Sequence, residues 1–300
     1  MRVQVRVPAT SANLGPGFDV LGLALALHNE VTLEGAHGVS VAIVGEGAGR
    51  LETGADNVVA RGVQMAFEAA GHPFGGVALR CVNRIPLSRG LGSSAAAWVA
   101  GLVGGNALLG SPLNQEALLA LAARAEGHPD NVAAALLGGL TVSCWTGSRV
   151  AALTLPVPSD ITWVVLVPEI EVSTSEARAV LPDSVSRADA VFNLQHVSLL
   201  VAALGSRRPD LLSIAMEDRL HQPHRWRLFP WMEAATAAAR EAGALGCALS
   251  GAGPSLLAAA QGRAVEVARA MERAARDAGV GCAAMILPVD MAGTICEPAP

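Results

Sequence analysis

Apolar and polar positions alternate along Arg2 to Val7, Val20 to Leu27, Glu30 to Glu34, Val39 to Gly45 and Val77 to Asn83. A period of two marks half-buried strands. Asn57 is a good helix cap, and the pattern predicts a helix from there to Ala70, ended by Gly71. After Asn83 comes a loop, Arg84 to Gly92, and then an alanine-rich helix, Ser93 to Leu109, stopped by Gly110-Ser111-Pro112. A further helix is expected from about Leu113 to Ala125, and a short one, capped by Asp130 or Asn131, ends at Gly138-Gly139.

Pro156 and Pro158 mark a break between Leu155 and Asp160, which divides the chain into residues 1–157 and 158–300. Beyond it, Ile161 to Val167 is a continuous apolar strand, and Ser173-Thr174-Ser175-Glu176 has the spacing of a capping box at a helix start. Helices are predicted at Arg187 to Leu204, Asp210 to Leu220 and Trp231 to Ala242. Two strands, Cys247 to Leu249 and Ser255 to Ala260, flank a glycine turn; a helix, Ala264 to Ala278, and a closing strand, Cys282 to Val289, follow. That order suits a split βαβ, ferredoxin-like sandwich with helical insertions. The fold class expected is α+β, with two halves packed together and no repeats.

Composition narrows the picture. The 300 residues are 52% apolar, enough for a sizeable core in one large domain or two of about 150 residues each. No uninterrupted apolar run reaches the roughly 18 residues of a membrane span. The nearest, Ala95 to Gly110, contains four glycines and an Asn, and is expected to be a buried helix. The first residues alternate and lack the apolar centre of a signal peptide, so a cytoplasmic location is expected. Five scattered cysteines, none spaced as C-x-x-C, argue against a disulfide framework or a structural zinc site. A net charge of −5 with no basic stripe argues against a nucleic-acid partner. The chain has no lysine: all 21 basic residues are arginine. Schiff-base chemistry and a Walker-type phosphate loop are thereby excluded.

Three glycine-rich segments carry the candidate chemistry. The first is Pro86-Leu87-Ser88-Arg89-Gly90-Leu91-Gly92-Ser93-Ser94-Ala95-Ala96-Ala97. It is a turn entering a helix whose start is small and hydroxylated, where free N–H groups and the helix dipole favour an anion. The second is Val7-Pro8-Ala9-Thr10-Ser11-Ala12-Asn13-Leu14-Gly15-Pro16-Gly17-Phe18-Asp19, a stiff loop between two strands presenting Asn13 and Asp19. Read alone, it is an ordinary hairpin connection. The third, Leu249-Ser250-Gly251-Ala252-Gly253-Pro254-Ser255, would also read alone as a plain hairpin.

Together the three resemble, in order, the motifs of the GHMP kinases, whose nucleotide motif P-x-x-x-G-L-G-S-S-A is matched at every fixed position by Pro86 to Ala95. The wording P-A-T-S-A-N-L-G-P-G-F-D resembles in particular the branch of that family that acts on L-homoserine. The resemblance implies a ribosomal-S5-domain-2-like first half, a ferredoxin-like second half, and transfer of a phosphoryl group from ATP to the hydroxyl of L-homoserine, a step of threonine biosynthesis. It implies ATP on Pro86 to Ala97 with Gly251 and Gly253 approaching, and Mg²⁺ on Ser94 and Glu126. Glu126 lies in Glu126-Gly127-His128-Pro129-Asp130-Asn131-Val132, a segment whose His128 is equally a structural loop residue. Arg178 and Arg225 are assigned to the substrate carboxylate with Thr174 nearby, and Asn13, Asp19 and His128 to the ammonium and hydroxyl end. The arginine fork suits a carboxylate.

His221 and His224 could mimic a metal pair, but no third ligand is evident, and both are read as surface or packing histidines. The base stays open: Asp19 acting alone, or direct passage of the hydroxyl proton to the phosphate. The family's usual Asp–Lys pair cannot exist without lysine. A homodimer is expected by the same resemblance. A kinase for another alcohol, such as mevalonate or a sugar, fits the first motif poorly. A non-catalytic sensor should have lost residues of the loop or the metal Glu, and an apolar-ligand carrier leaves the motifs unexplained.

Overall fold

The structure is a computed structural model and describes residues 1–299. The first half supplies β1 (Arg2–Asn13), β2 (Gly17–Gly35), β3 (Gly38–Gly45), α1 (Val58–Ala69), β4 (Gly76–Asn83), α2 (Ser93–Leu108), α3 (Gln115–Glu126), α4 (Asp130–Leu137), β5 (Leu140–Thr146) and β6 (Arg149–Leu155). The second supplies β7 (Thr162–Pro168), α5 (Thr174–Ala179), α6 (Arg187–Gly205), α7 (Leu212–Ala215), α8 (Gln222–Arg225), α9 (Met232–Glu241), β8 (Ala244–Leu249), β9 (Leu256–Ala260), α10 (Ala264–Asp277), β10 (Cys282–Leu287) and β11 (Ile295–Pro298).

The first sheet runs β11-β1-β2-β4-β3, with β5 paired to another stretch of β2 and β6 to β5. Only β3 and β4 are parallel. The second sheet runs β10-β7-β9-β8, all antiparallel, which is the fourth, first, third and second of its own strands. This is the split βαβ arrangement expected, and the α+β class holds. Alternate residues of β7 enter different cores. Trp163 and Val165 join the large one, while Val164 and Leu166 meet Phe229, Met232, Val267 and Met271. Both faces are covered, so the strand reads as one apolar run.

The apolar run at Ala95 to Gly110 is indeed a buried helix, α2. Its glycines serve contact: a Cβ on Gly101 would strike the carbonyl of Val59, and one on Gly62 would stand 3.0 Å from the Trp98 carbonyl. Helices α1 and α2 therefore touch along their backbones, which fixes where the N-terminus of α2 points. Asn57 caps α1 through its side-chain oxygen, and Ser173 with Glu176 forms the expected capping box on α5.

Several expectations need correction. The first motif is largely strand: β1 continues through Asn13, and Val20 to Leu27 and Glu30 to Glu34 fuse into the 19-residue β2 across a bulge facing Pro8 and Ala9. Helix α4 begins at Asp130 after an N-cap at Pro129, so neither Asp130 nor Asn131 is its cap. The helix expected from Asp210 to Leu220 breaks after Ala215, because the buried Asp218 carboxylate collects the N–H groups of Leu220, His221 and Gln222 in a turn. Helix α6 is, by length and composition alone, apolar enough to cross a membrane, yet Arg187, Asp189, Asn193 and Gln195 interrupt its apolar run, so no uninterrupted run of about 18 residues occurs. Its Leu200, Ala203 and Leu204 are buried, and Asn193 is tied to Pro16 and Asp218.

The sheets change between Leu155 and Thr162, but β11 returns to pair with β1, so residues 158–300 give up their last strand to the first half. Asp290 secures that return. Its carboxylate takes the N–H groups of Ala292 (2.9 Å) and Gly293 (2.8 Å) and lies 2.6 Å from His28 Nε2 on β2. Replacing it leaves buried donors unpaired, which costs about 1–3 kcal/mol. Asp290→Ala is therefore expected to lower the unfolding free energy by about 2 kcal/mol, measured by urea denaturation, with the slope of the transition unchanged.

Candidate active site

A cleft of about 200 Å³ lies where the three glycine-rich segments meet. Its floor is the start of α2. Gly92 caps that helix in the left-handed conformation, φ +67°, and a Cβ there would collide with Thr10 Oγ1. The Ala96 N–H closes the first turn on the Gly92 carbonyl (2.9 Å), leaving the N–H groups of Ser93, Ser94 and Ala95 without intrahelical partners. No acidic residue and no side-chain cap occupies this helix end. It is an anion site made of backbone.

Beside it, the Ser94 hydroxyl donates to Glu126 Oε2 at 2.8 Å, across the end of α3. Burial pushes the Glu126 carboxyl above its ordinary range, against the Ser94 hydrogen bond and the neighbouring His128. His128 Nδ1 stands 2.6 Å from Asp130 Oδ1, which also accepts the Asn131 N–H at 2.7 Å. Burial opposes charge on His128, but the hydrogen bond and charge of Asp130, with Glu126 and Asp19, outweigh it and raise the imidazole. Asn131 in turn accepts the Thr10 hydroxyl at 2.8 Å, and the Thr10 N–H donates to the Leu91 carbonyl. One polar chain thus runs from the anion loop to His128.

The opposite wall is charged. Arg178 on α5 grips Asp19 with both arms of its fork, Nη2 to Oδ1 at 2.6 Å and Nη1 to Oδ2 at 3.1 Å. Asp19 is held at φ +57°, with its N–H on the Asn13 side-chain oxygen (3.0 Å). The Asn13 amide donates to the Gly251 carbonyl at 2.9 Å, so Asn13 joins the first and third motifs. Arg225, 1% exposed, donates to the carbonyls of Ala177 and Gly251, 3.1 Å each. It also meets His221 Nδ1 at 3.1 Å. Burial, then the nearby Arg178, lowers its guanidinium to about 10, which leaves it charged at neutral pH. His221 is fully buried and neutral: burial depresses it, Nδ1 accepts from Arg225, and Nε2–H donates to the Gly15 carbonyl at 2.8 Å. It packs rather than binds metal.

Most of the expected residues converge here. Asn13, Asp19, His128, Thr174, Arg178, Arg225, Ser94, Glu126 and Gly251 all line the cleft. Gly253 lies behind, against Leu249 and Phe229, and Ala95 is fully buried. Arg89 reaches the cleft but its guanidinium is spent on the carbonyls of Leu87, Pro168 and Glu169 and on Glu171. Asp19, His128 and Asp130 bring one ligand atom each within 4.8 Å of one another, yet these atoms are already paired with Arg178 or with each other.

Sequence reasoning missed two features. The Phe18 ring, inside a quoted motif, lies 5.4 Å from both arginine guanidiniums, a cation–π distance. A second cavity of about 290 Å³ joins the cleft at Ser88, Ser93 and Ser94 and is walled by Val31, Ile43, Leu51, Val59, Cys81 and Leu87. Its walls come from β2, β3, α1, β4 and α2 and the loops beside them, and have no linear signature.

A cleft with a helix-end anion site, an oxygen pair beside it and an arginine wall suits a small-molecule kinase. Residues 57–139 match the model of the GHMP kinases N terminal domain, and residues 200–277 that of the GHMP kinases C terminal. A homoserine kinase of Moorella thermoacetica is 47% identical over 278 residues, 93% of this chain and 94% of the relative. One of a Synechococcus species is 45% identical over 99% of this chain and 96% of the relative. Among solved structures, homoserine kinase of Cytophaga hutchinsonii superposes with a TM-score of 0.89 at 33% identity, over 99% of this chain and 97% of that one. Mevalonate kinase of L. major, solved with R-mevalonate, shares the fold alone, with a TM-score of 0.68 at 17% identity over 94% and 95% of the two chains. The chain belongs to the GHMP kinases, and within them to the homoserine kinases.

Gly92 tests the anion loop. Gly92→Ala forces a side chain into the left-handed region and against Thr10, so ATP affinity is expected to fall at least tenfold. The readout is titration with an ATP analogue, checked against a far-UV spectrum unchanged from wild type.

Proposed function

We propose that the cleft transfers the terminal phosphoryl group of ATP to the side-chain hydroxyl of L-homoserine, giving O-phospho-L-homoserine for threonine biosynthesis. The observation that carries this reading is the Asp19–Arg178 pair, with the buried Arg225 behind it, facing the anion site of α2. A zwitterionic amino acid is the natural guest of such a pair. Its carboxylate takes the Arg178 fork, with the charge of Arg225 behind it, and its ammonium takes Asp19, so each half of the ion pair exchanges one partner for another of the same charge. The hydroxyl, two methylenes from the α-carbon, is then aimed toward the phosphates. Mevalonate or a sugar has no ammonium for Asp19.

On this reading the triphosphate lies on the free amides of Ser93 to Ala95, and the nucleoside fills the apolar cavity that opens beside Ser88. Residues 1–157 then hold the nucleotide and residues 158–300, less β11, hold Thr174, Arg178 and Arg225. Ser94 and Glu126 fit a magnesium ion, a hard cation that takes oxygen ligands. Their oxygens are already 2.8 Å apart beside the anion site. Bound there, the ion would neutralise phosphate charge.

The chain's own contribution is positioning. With Asp19 given to the substrate ammonium in exchange for Arg178, its role is binding, and the hydroxyl proton passes to the oxygens of the transferred phosphoryl group. As the acceptor oxygen bonds to the γ-phosphorus, the bond to the β-phosphate bridging oxygen breaks and ADP leaves. His128, oriented by Asp130, stands at the ammonium and hydroxyl end. A homodimer is part of this reading.

Purified protein with Mg-ATP is expected to release ADP with L-homoserine, and not with mevalonate, galactose, L-serine or no acceptor. Release with another acceptor would overturn the reading. Asp19→Asn separates the two roles of that residue. The expected result is a KM for L-homoserine raised about 100-fold, as for a lost charge-assisted contact of roughly 2–3 kcal/mol, with a smaller loss in kcat. A fall in kcat alone, with a changed pH profile, would make Asp19 the base.

A further inference from the structure

The anion loop belongs to one half of the molecule and the acceptor-binding helix α5 to the other, so their separation must be set by something between them. That connection is residues 169–172, which join β7 to the Ser173 cap of α5. Arg89, from the anion loop, donates to the Pro168 carbonyl at 2.8 Å, to the Glu169 carbonyl at 3.1 Å and to Glu171 Oε1 at 3.2 Å. The Val172 N–H donates back to the Ser88 carbonyl at 3.1 Å. Glu171 reaches further. Arg50 grips both its oxygens, at 2.9 and 2.7 Å, from the segment after β3, next to Leu51 and Glu52 of the apolar cavity. One carboxylate of the second half therefore ties down the rim of the nucleoside cavity and the anion loop together. Three residues later α5 begins, carrying Thr174 and Arg178.

Glu171 lines neither cavity and is exposed at the surface. An isolated exposed ion pair adds little to stability. Two guanidiniums hold this carboxyl down to about 2, the Arg50 hydrogen bond first among the causes, so it is charged throughout the working range.

We propose that Glu171 is a positioning residue that sets the acceptor-binding helix against the nucleotide site, so that a bound nucleotide tightens the binding of L-homoserine. The mechanism rests on the function proposed above. A nucleotide seated on the loop and in the apolar cavity immobilises Ser88, Arg89 and the Arg50 segment. Through Glu171 and Val172 that order passes to Ser173, and so to Thr174 and Arg178. The acceptor then meets an arginine already placed, and the coupling is reciprocal.

The test is calorimetric titration of L-homoserine into the full-length protein, with and without a non-hydrolysable ATP analogue and Mg²⁺. In wild type the analogue is expected to tighten L-homoserine several-fold. In Glu171→Ala that factor falls to within about twofold of one, while each ligand alone keeps its affinity within about twofold and kcat drops about tenfold from misplacement. Arg50→Ala, which leaves the Arg89 contacts in place, is expected to lose part of the factor. A coupling factor unchanged in Glu171→Ala overturns the proposal. So does independent binding in wild type, or a Glu171→Ala protein that loses analogue affinity on its own. Failure of wild type to bind L-homoserine at all would overturn the reading of the site and this proposal with it.

Discussion

At Gly90 the two halves of the molecule meet backbone to backbone. A Cβ there would strike the Ser250 carbonyl and stand 3.0 Å from the Gly253 nitrogen. The Ser250 hydroxyl sits 2.7 Å from the Gly90 carbonyl and 2.8 Å from the Ser11 hydroxyl, and the Gly251 N–H donates to Ala12 at 3.0 Å. Three segments from three places in the sequence are locked together at backbone distance, with only the short side chains of Ser11, Asn13 and Ser250 bridging them. Everything chemical depends on this closeness. It brings the start of α2, the Asn13–Asp19 turn and the arginines of α5 and α8 around one small cleft.

Charge in that cleft is distributed by geometry. The anion site uses the backbone N–H groups of the helix start, so it needs no lysine. The arginines do other things. Arg89 and Arg50 hold the halves together, while Arg178 and Arg225 face the acceptor side. Burial is uneven between the last two. Arg225 is anchored by two carbonyls and neutral His221, whereas Arg178 is half-exposed and held only by Asp19 and the Phe18 face. The first is a fixed feature of the wall; the second is the one free to exchange its partner for a ligand.

Much of this was legible in the sequence because the chemistry is concentrated in short motifs. Pro86 to Ala97 and the Asn13–Asp19 loop announced themselves by glycine, proline and small polar residues, and a capping box marked α5. What escaped has physical reasons. The hairpin β5–β6 turns on Gly147-Ser148 between two short runs of seven residues each, close before the Pro156–Pro158 break. Strand β11 is four residues long and exists by pairing with β1, so local pattern could not reveal it. Asp218 ended a helix by gathering backbone N–H groups with a side chain that is wholly buried, and burial is a tertiary fact. The nucleoside-sized cavity and the Glu171 bridge are likewise built from residues far apart in sequence, with no spacing to read.

The central claim is that the ion pair of Asp19 with Arg178 selects a zwitterion. The direct measurement is kcat/KM for L-homoserine beside two analogues of nearly the same shape, 4-hydroxybutyrate without the ammonium and L-homoserinol without the carboxylate. Removing either charge leaves one member of the pair unmatched, and a charge-assisted contact is worth about 1.5–3 kcal/mol. Both analogues are therefore predicted to lose at least about tenfold in kcat/KM, and Asp19→Asn should narrow the gap between L-homoserine and 4-hydroxybutyrate. An analogue phosphorylated as well as L-homoserine itself would contradict the account.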